Sequence, residues 1–282
     1  MHSTSSAALE GSMMIRRVLI ILAACLLGGR IGAPADLASA SPANADKTKI
    51  RLLVLGGGLN TRHLFAHNSG MLCDRLRYAE LASCTYTDDL DALRSESLRN
   101  YDVLMIYAWR ATDRGGSIES DAQKQGLVEF LGRGGGLVVV HIGNGCFDDW
   151  PEFGRMVGRV WITGTSGHTE YKEFKVHLKA KDHPILAGLE DFVISDELYQ
   201  RLTPKADVKL LATARDGGVD EPMAWTREYG RGKVFYTALG DSPESWNNET
   251  FLQMLAGAVQ WTAGRPVRRL PQAPGRNSLH GR

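Results

Sequence analysis

The chain is poor in cysteine, with four in 282 residues and none in a Cys-x-x-Cys pair, so a thiolate zinc site has no ligand set to start from. It also has almost no net charge. Lys and Arg number 33 against 32 Asp and Glu, a balance of +1, and without a large basic excess a nucleic-acid partner has no electrostatic footprint. No apolar run reaches the roughly 20 residues of a membrane-spanning helix. His-Glu-x-x-His, Gly-x-Gly-x-x-Gly and a P-loop lysine are all absent, and with them the short signatures of zinc hydrolases, dinucleotide binders and nucleotide-phosphate sites. Glycine, by contrast, is plentiful at 31 residues. Together with the length, this suits one α/β domain of about 200 residues plus processing sequence.

Arg16 and Arg17 precede the apolar run from Val18 to Leu27, which has the size of a signal-peptide core. Met13 and Met14 are alternative starts, because the residues before them are polar. Two processing routes are open: Leu22-Ala-Ala-Cys25 resembles a lipoprotein box, and Ala43-Asn-Ala45 has the small-x-small form of an ordinary cleavage site. Either route predicts a periplasmic or otherwise extracytoplasmic protein, lipid-anchored if Cys25 is used. Cys73, Cys84 and Cys146 then remain, which permits one disulfide at most.

Residues 1–45 read as signal peptide and tether, 46–264 as one folded domain, and the Pro- and Arg-rich 265–282 as a disordered tail. Ile50 to Gly58 has the form of a buried strand running into a glycine turn, and the pattern predicts a helix over 64–76. Tyr101 to Ala108 and Leu137 to His141 are further apolar strands, with a helix between them capped at Ser117. Alternating strands and helices imply an α/β fold with a mainly parallel sheet covered on both faces. Phe174, Val176 and Leu178 alternate with Lys175, His177 and Lys179, as in a half-exposed strand. Short strands follow at 208–214, 223–226 and 233–239, and a closing helix at 247–262.

Six segments taken in register resemble the ThuA-like, or trehalose-utilisation, family: Gly134 to His141, Trp150-Pro-Glu-Phe, Asp182 to Leu189, Asp196-Glu-Leu-Tyr199, Pro222-Met-Ala-Trp225 and Tyr229 to Tyr236. The resemblance runs from about residue 50 to 264. It implies a flavodoxin-like, three-layer sandwich of the class I glutamine amidotransferase-like superfamily and a link to sugar catabolism. One departure stands out. The family usually shows Gly-His-Asp after the Val-Phe-Tyr strand, whereas this chain has Leu239-Gly240-Asp241.

In amidotransferases the corresponding strand ends in Cys-x-Gly and the thiolate attacks the glutamine amide. Here the position is His141, followed by Ile142 and Gly143, so that chemistry is lost. His141 is instead a candidate general acid or base, since imidazole titrates near neutrality. His63, Trp150, His168, Asp196 and Glu197 are candidate substrate-binding residues, with His67 a weaker one. His177 reads as a surface residue and His183 as part of a turn. A metal site would have to be assembled from distant loops, and neither a metal nor a cofactor is assigned. The implied ligand is a small-molecule carbohydrate. The expected activity is on a sugar or keto-sugar derivative, as hydrolase or isomerase, and the alternative is a non-catalytic carbohydrate-binding protein of the cell envelope.

Overall fold

The computed structural model describes residues 49–58, 63–113, 116–118 and 120–272. The expected signal peptide, Cys25 and the tether lie outside the described residues. Nine strands form one sheet: β1 (Ile50–Leu55), β2 (Ala82–Thr87), β3 (Val103–Ile106), β4 (Gly136–Val140), β5 (Lys172–Leu178), β6 (Phe192–Asp196), β7 (Lys209–Asp216), β8 (Val219–Tyr229) and β9 (Gly232–Thr237). Their spatial order is β2-β1-β3-β4-β9-β8-β7-β5-β6. The first five run parallel. From β9 onward each neighbour is antiparallel, which gives the mixed half of an otherwise parallel sheet.

Every residue of β3 and β4 is buried. Because successive side chains point to opposite faces, both faces must be covered there. The covering helices are α1 (Phe65–Tyr78), α2 (Asp121–Gly132), the short α3 (Pro151–Val157) and α4 (Glu249–Thr262). Asn248 caps α4 by accepting the amide of Phe251 at 3.1 Å, and Phe251, Leu252, Leu255 and Val259 bury against the core as their spacing predicts.

Three details differ from the sequence reading. The helix expected to begin at Ser117 starts at Asp121, because Ser120 and Gln123 form a reciprocal capping box, while Ser117 donates to Asp149 instead. The strand expected to include His141 ends at Val140. The tail expected to be disordered from residue 265 is ordered through residue 272. Gln260 clamps Arg268 through two bonds of 2.8 Å, Leu270 is buried, and Arg269 donates to the carbonyl oxygens of Ile185 and Ala187. Cys73, Cys84 and Cys146 are all free thiols.

In α2, a Cβ placed on Gly126 would lie 2.1 Å from the carbonyl oxygen of Leu93. Gly126→Ala should therefore lower stability by about 1–3 kcal/mol, the cost of overpacking a filled core. The sign is opposite to the gain of about 1 kcal/mol that alanine brings to an exposed helix interior. Urea unfolding measures it, and a more stable variant would contradict the packing described.

Candidate active site

The site begins with the backbone. Where β4 ends the chain turns at once, and His141 takes φ +52°, a left-handed conformation that costs a residue with a Cβ on the order of 1 kcal/mol or more. A tight 3-10 turn follows over His141–Gly145. Gly143 has to be glycine, since a Cβ there would come 2.7 Å from the Ile106 carbonyl oxygen. Tyr236 on β9 donates its hydroxyl to the His141 carbonyl at 3.0 Å and so fixes the turn from the neighbouring strand.

The imidazole of His141 is completely buried. Its Nδ1 lies 2.8 Å from the carbonyl oxygen of Ala238. A carbonyl can only accept, so Nδ1 carries the proton, and in the neutral ring the Nε2 lone pair faces the opposite way. There it meets the Tyr199 hydroxyl at 3.0 Å, Asp241 Oδ1 at 3.5 Å and Glu197 Oε2 at 3.9 Å. Burial opposes charging of this ring. The hydrogen bond to Asp241, the nearby charges of Asp196 and Asp241 and the Ala238 carbonyl outweigh it, so His141 takes up a proton more readily than a free imidazole.

Asp241 follows β9, the strand beside β4. Burial opposes its ionisation too, but His141 and His63 hold its carboxyl well below the usual range. His63 reaches Asp241 from beyond β1, with Nδ1 at 3.2 Å from both Oδ1 and the backbone carbonyl, and its ring stands edge-on to His141 at 5.1 Å. The residue before Asp241 is Gly240, with φ +118° and its Cβ position 3.0 Å from a Val140 methyl group. A side chain there would be both strained and tightly packed. This loop therefore presents the carboxylate of Asp241 without a neighbouring imidazole, and the second imidazole of the cluster comes from His63.

Asp196 and Glu197, adjacent in sequence, are used differently. Asp196 is buried beneath the site and accepts three backbone N–H groups, from Gly240 at 2.7 Å, Glu197 at 2.8 Å and Asp241 at 3.2 Å. Burial pushes its pKa up to about 6 against the pull of His141 and these amides. It positions the loop carrying Asp241, and with both carboxylate oxygens taken by backbone amides it is not placed to touch a substrate as the sequence reading expected. Glu197 lies between His141 and the half-exposed His168, whose Nδ1 is 3.5 Å from Glu197 Oε1.

Of the residues singled out from sequence, the fold gathers His63, His141, His168, Asp196 and Glu197. Trp150 is half-buried and lines a separate cavity of about 120 Å³ with Asn144, Trp161 and Lys205. Trp161 packs at a tilt against Tyr199, ring centroids 4.8 Å apart, and so stands between that cavity and the imidazoles. His67 is exposed on α1, His177 pairs with Asp191 at 2.9 Å, and His183 turns the chain by accepting the Ile185 amide at 3.3 Å. Sequence reasoning assigned no role to Asp241 and Tyr199. Asp241 had a usable signal, being an acid just past the C-terminal end of a buried strand. Among the described residues, His63, His141 and Asp241 each offer one ligand atom within 4.8 Å of the others and so form a group able to hold a metal ion.

Cys146 is not a hidden nucleophile. It is buried, its thiol donates to Ala108 at 3.2 Å, and burial pushes its pKa up to about 12, so thiolate is scarce at neutral pH. Alkylation at pH 8 should leave Cys146 unlabelled in the folded protein and label it after unfolding, as read by peptide mass spectrometry. Rapid labelling of the folded protein would contradict this.

The sequence profile described as trehalose utilisation, ThuA, matches residues 51–262. None of the curated proteins matches the chain in sequence. Among solved structures, a ThuA-like protein of Parabacteroides merdae aligns at 21% identity and TM-score 0.66, over 79% of this chain and 94% of the other. One from Bacteroides uniformis aligns at 20% and 0.62, over 79% and 95%. A β-galactosidase of Bacillus circulans shares the fold at 13% and 0.53, over 78% of this chain and 32% of its own. With the profile covering most of its length, the chain belongs to the ThuA, or trehalose-utilisation, family.

Proposed function

We propose that the protein acts on a sugar or keto-sugar derivative outside the cytoplasm, through proton transfer at the His141 centre, and that it has no glutaminase activity. The observation that carries this reading is the fixed orientation of His141. The Ala238 carbonyl holds Nδ1–H at 2.8 Å, and the free side of the ring faces two carboxylates and a phenol. A base held in one tautomer, with its charged form supported by a carboxylate, meets the requirements of general acid–base catalysis. Glu197 supplies the second proton-handling group. It reaches the partly exposed side of the cluster, where His168 and Trp161 stand.

A keto-sugar suits such a pair. A proton removed from the hydroxyl-bearing carbon beside the carbonyl goes to the base while the carbonyl oxygen takes one from the acid, giving an enediol; loss of the neighbouring hydroxyl proton and return of a proton to the former carbonyl carbon complete an isomerisation. The carbohydrate assignment rests on the family, whose association is with trehalose utilisation. The absence of amidotransferase chemistry rests on the histidine at the turn and the buried, protonated thiol of Cys146.

Purified protein should be screened against oxidised and unoxidised disaccharides. His141→Ala is expected to remain folded and to lose turnover by roughly 10²- to 10⁴-fold, the usual scale for removing a general acid or base. Melting temperature and turnover are measured on the same variant. A destabilised variant with full turnover contradicts the reading, and saturable sugar binding by the unaltered protein with no turnover makes it a binding module.

A further inference from the structure

We propose that His63, His141 and Asp241 form a binding site for one divalent cation of the zinc class. The three come from different parts of the chain, after β1, at the end of β4 and after β9, and meet at the C-terminal edge of the parallel strands. A tetrahedral cation with bonds of about 2.0–2.1 Å sets neighbouring ligand atoms roughly 3.3–3.4 Å apart. Asp241 Oδ1 stands 3.2 Å from Nδ1 of His63 and 3.5 Å from Nε2 of His141. All three ligand atoms lie within 4.8 Å of one another. A hydrogen-bonded cluster needs no such near-equal spacing around one carboxylate oxygen.

The surroundings are also those of a metal site. A ligating histidine usually gives its other N–H to a carbonyl or carboxylate, which fixes the ring and raises its basicity. Ala238 does this for His141, whereas His63 gives up the Nδ1 proton it offers the Asp241 carbonyl when the cation binds. The ligating carboxylate is held in turn, because Asp196 accepts the amides of Gly240 and Asp241. Two imidazoles and one carboxylate favour zinc and its neighbours over calcium and magnesium, which prefer all-oxygen sites. Three protein ligands leave a fourth position for water or substrate, on the side where Glu197 Oε2 lies 3.9 Å from Nε2.

This inference rests on the proposed proton-transfer reading for its purpose, though not for its test, and passes the role of base from His141 to Glu197. With a cation bound, Nε2 is occupied and the Tyr199 hydroxyl gives up its bond to it. Glu197 then takes the proton, and the cation polarises the sugar carbonyl or a bound water.

The test uses the purified protein freed of metal with a chelator and titrated with zinc chloride by calorimetry, without sugar. One zinc per chain is expected, with little response to calcium or magnesium. His63→Ala and Asp241→Asn should each weaken binding by on the order of 100-fold, at least the upper end of what losing an outer-sphere partner costs. His177→Ala, remote from the cluster, should bind as the unaltered protein does. Circular dichroism of the metal-free variants shows whether they fold, and the conservative Asp241→Asn stands in should His63→Ala not. Failure of the unaltered protein to bind zinc stoichiometrically overturns the proposal, as does equally tight binding by Asp241→Asn. Because binding is read without substrate, that failure leaves the proton-transfer reading intact, and a protein that binds zinc yet turns over no sugar fails the other way.

Discussion

The site depends on one constraint, the left-handed backbone of His141 at the end of a fully buried strand. A φ of +52° in a residue with a Cβ is unfavourable, so the surrounding structure must hold it. Gly143 lets the turn close against Ile106, Tyr236 ties the His141 carbonyl to the next strand, and Ala238 fixes the ring. Two of these three supports come from β9 and the loop after it. The parallel pairing of β4 with β9 is therefore what sets the imidazole in place.

The electrostatics follow from that placement. Three carboxylates, Asp196, Glu197 and Asp241, surround a buried ring that would otherwise resist charge. Unpaired buried charges are costly, and here each acid has a partner of its own kind. Asp196 takes backbone amides, Asp241 takes two imidazoles, and Glu197 lies between His141 and the exposed His168. The result is a nearly closed pocket of groups in which a proton, or a cation, has several seats. A thiol would not serve in this setting, as the protonated and buried Cys146 nearby illustrates.

Much of the fold was legible because β1, β3 and β4 are buried on both faces and read as continuous apolar runs. Of the nine strands of the large sheet, the two that escaped sequence reading, Ala82–Thr87 and Phe192–Asp196, are its two edges. Ala82–Thr87 is mostly polar and exposed, like a loop, and Phe192–Asp196 shows its alternation of buried and exposed residues over only five positions. The tail after Gly264 was misread because composition does not show that Gln260 and Gln253 hold its backbone. At the site, His141 announced itself by ending an apolar run in a His-x-Gly turn. Asp241 offered only its place just past a buried strand and Tyr199 nothing, because both meet His141 through sheet order and loop course. Nor could adjacency tell that Asp196 points under the loop while Glu197 faces the imidazoles.

The orientation of the His141 ring is the claim from which both the acid–base and the cation readings derive. Nitrogen-15 NMR of the metal-free protein, with two-bond ring correlations recorded at a pH where this imidazole is neutral, reports it directly. The account predicts the proton on Nδ1, bonded to Ala238, and a bare Nε2 accepting from Tyr199. A proton on Nε2, or a ring averaging between tautomers, would contradict it.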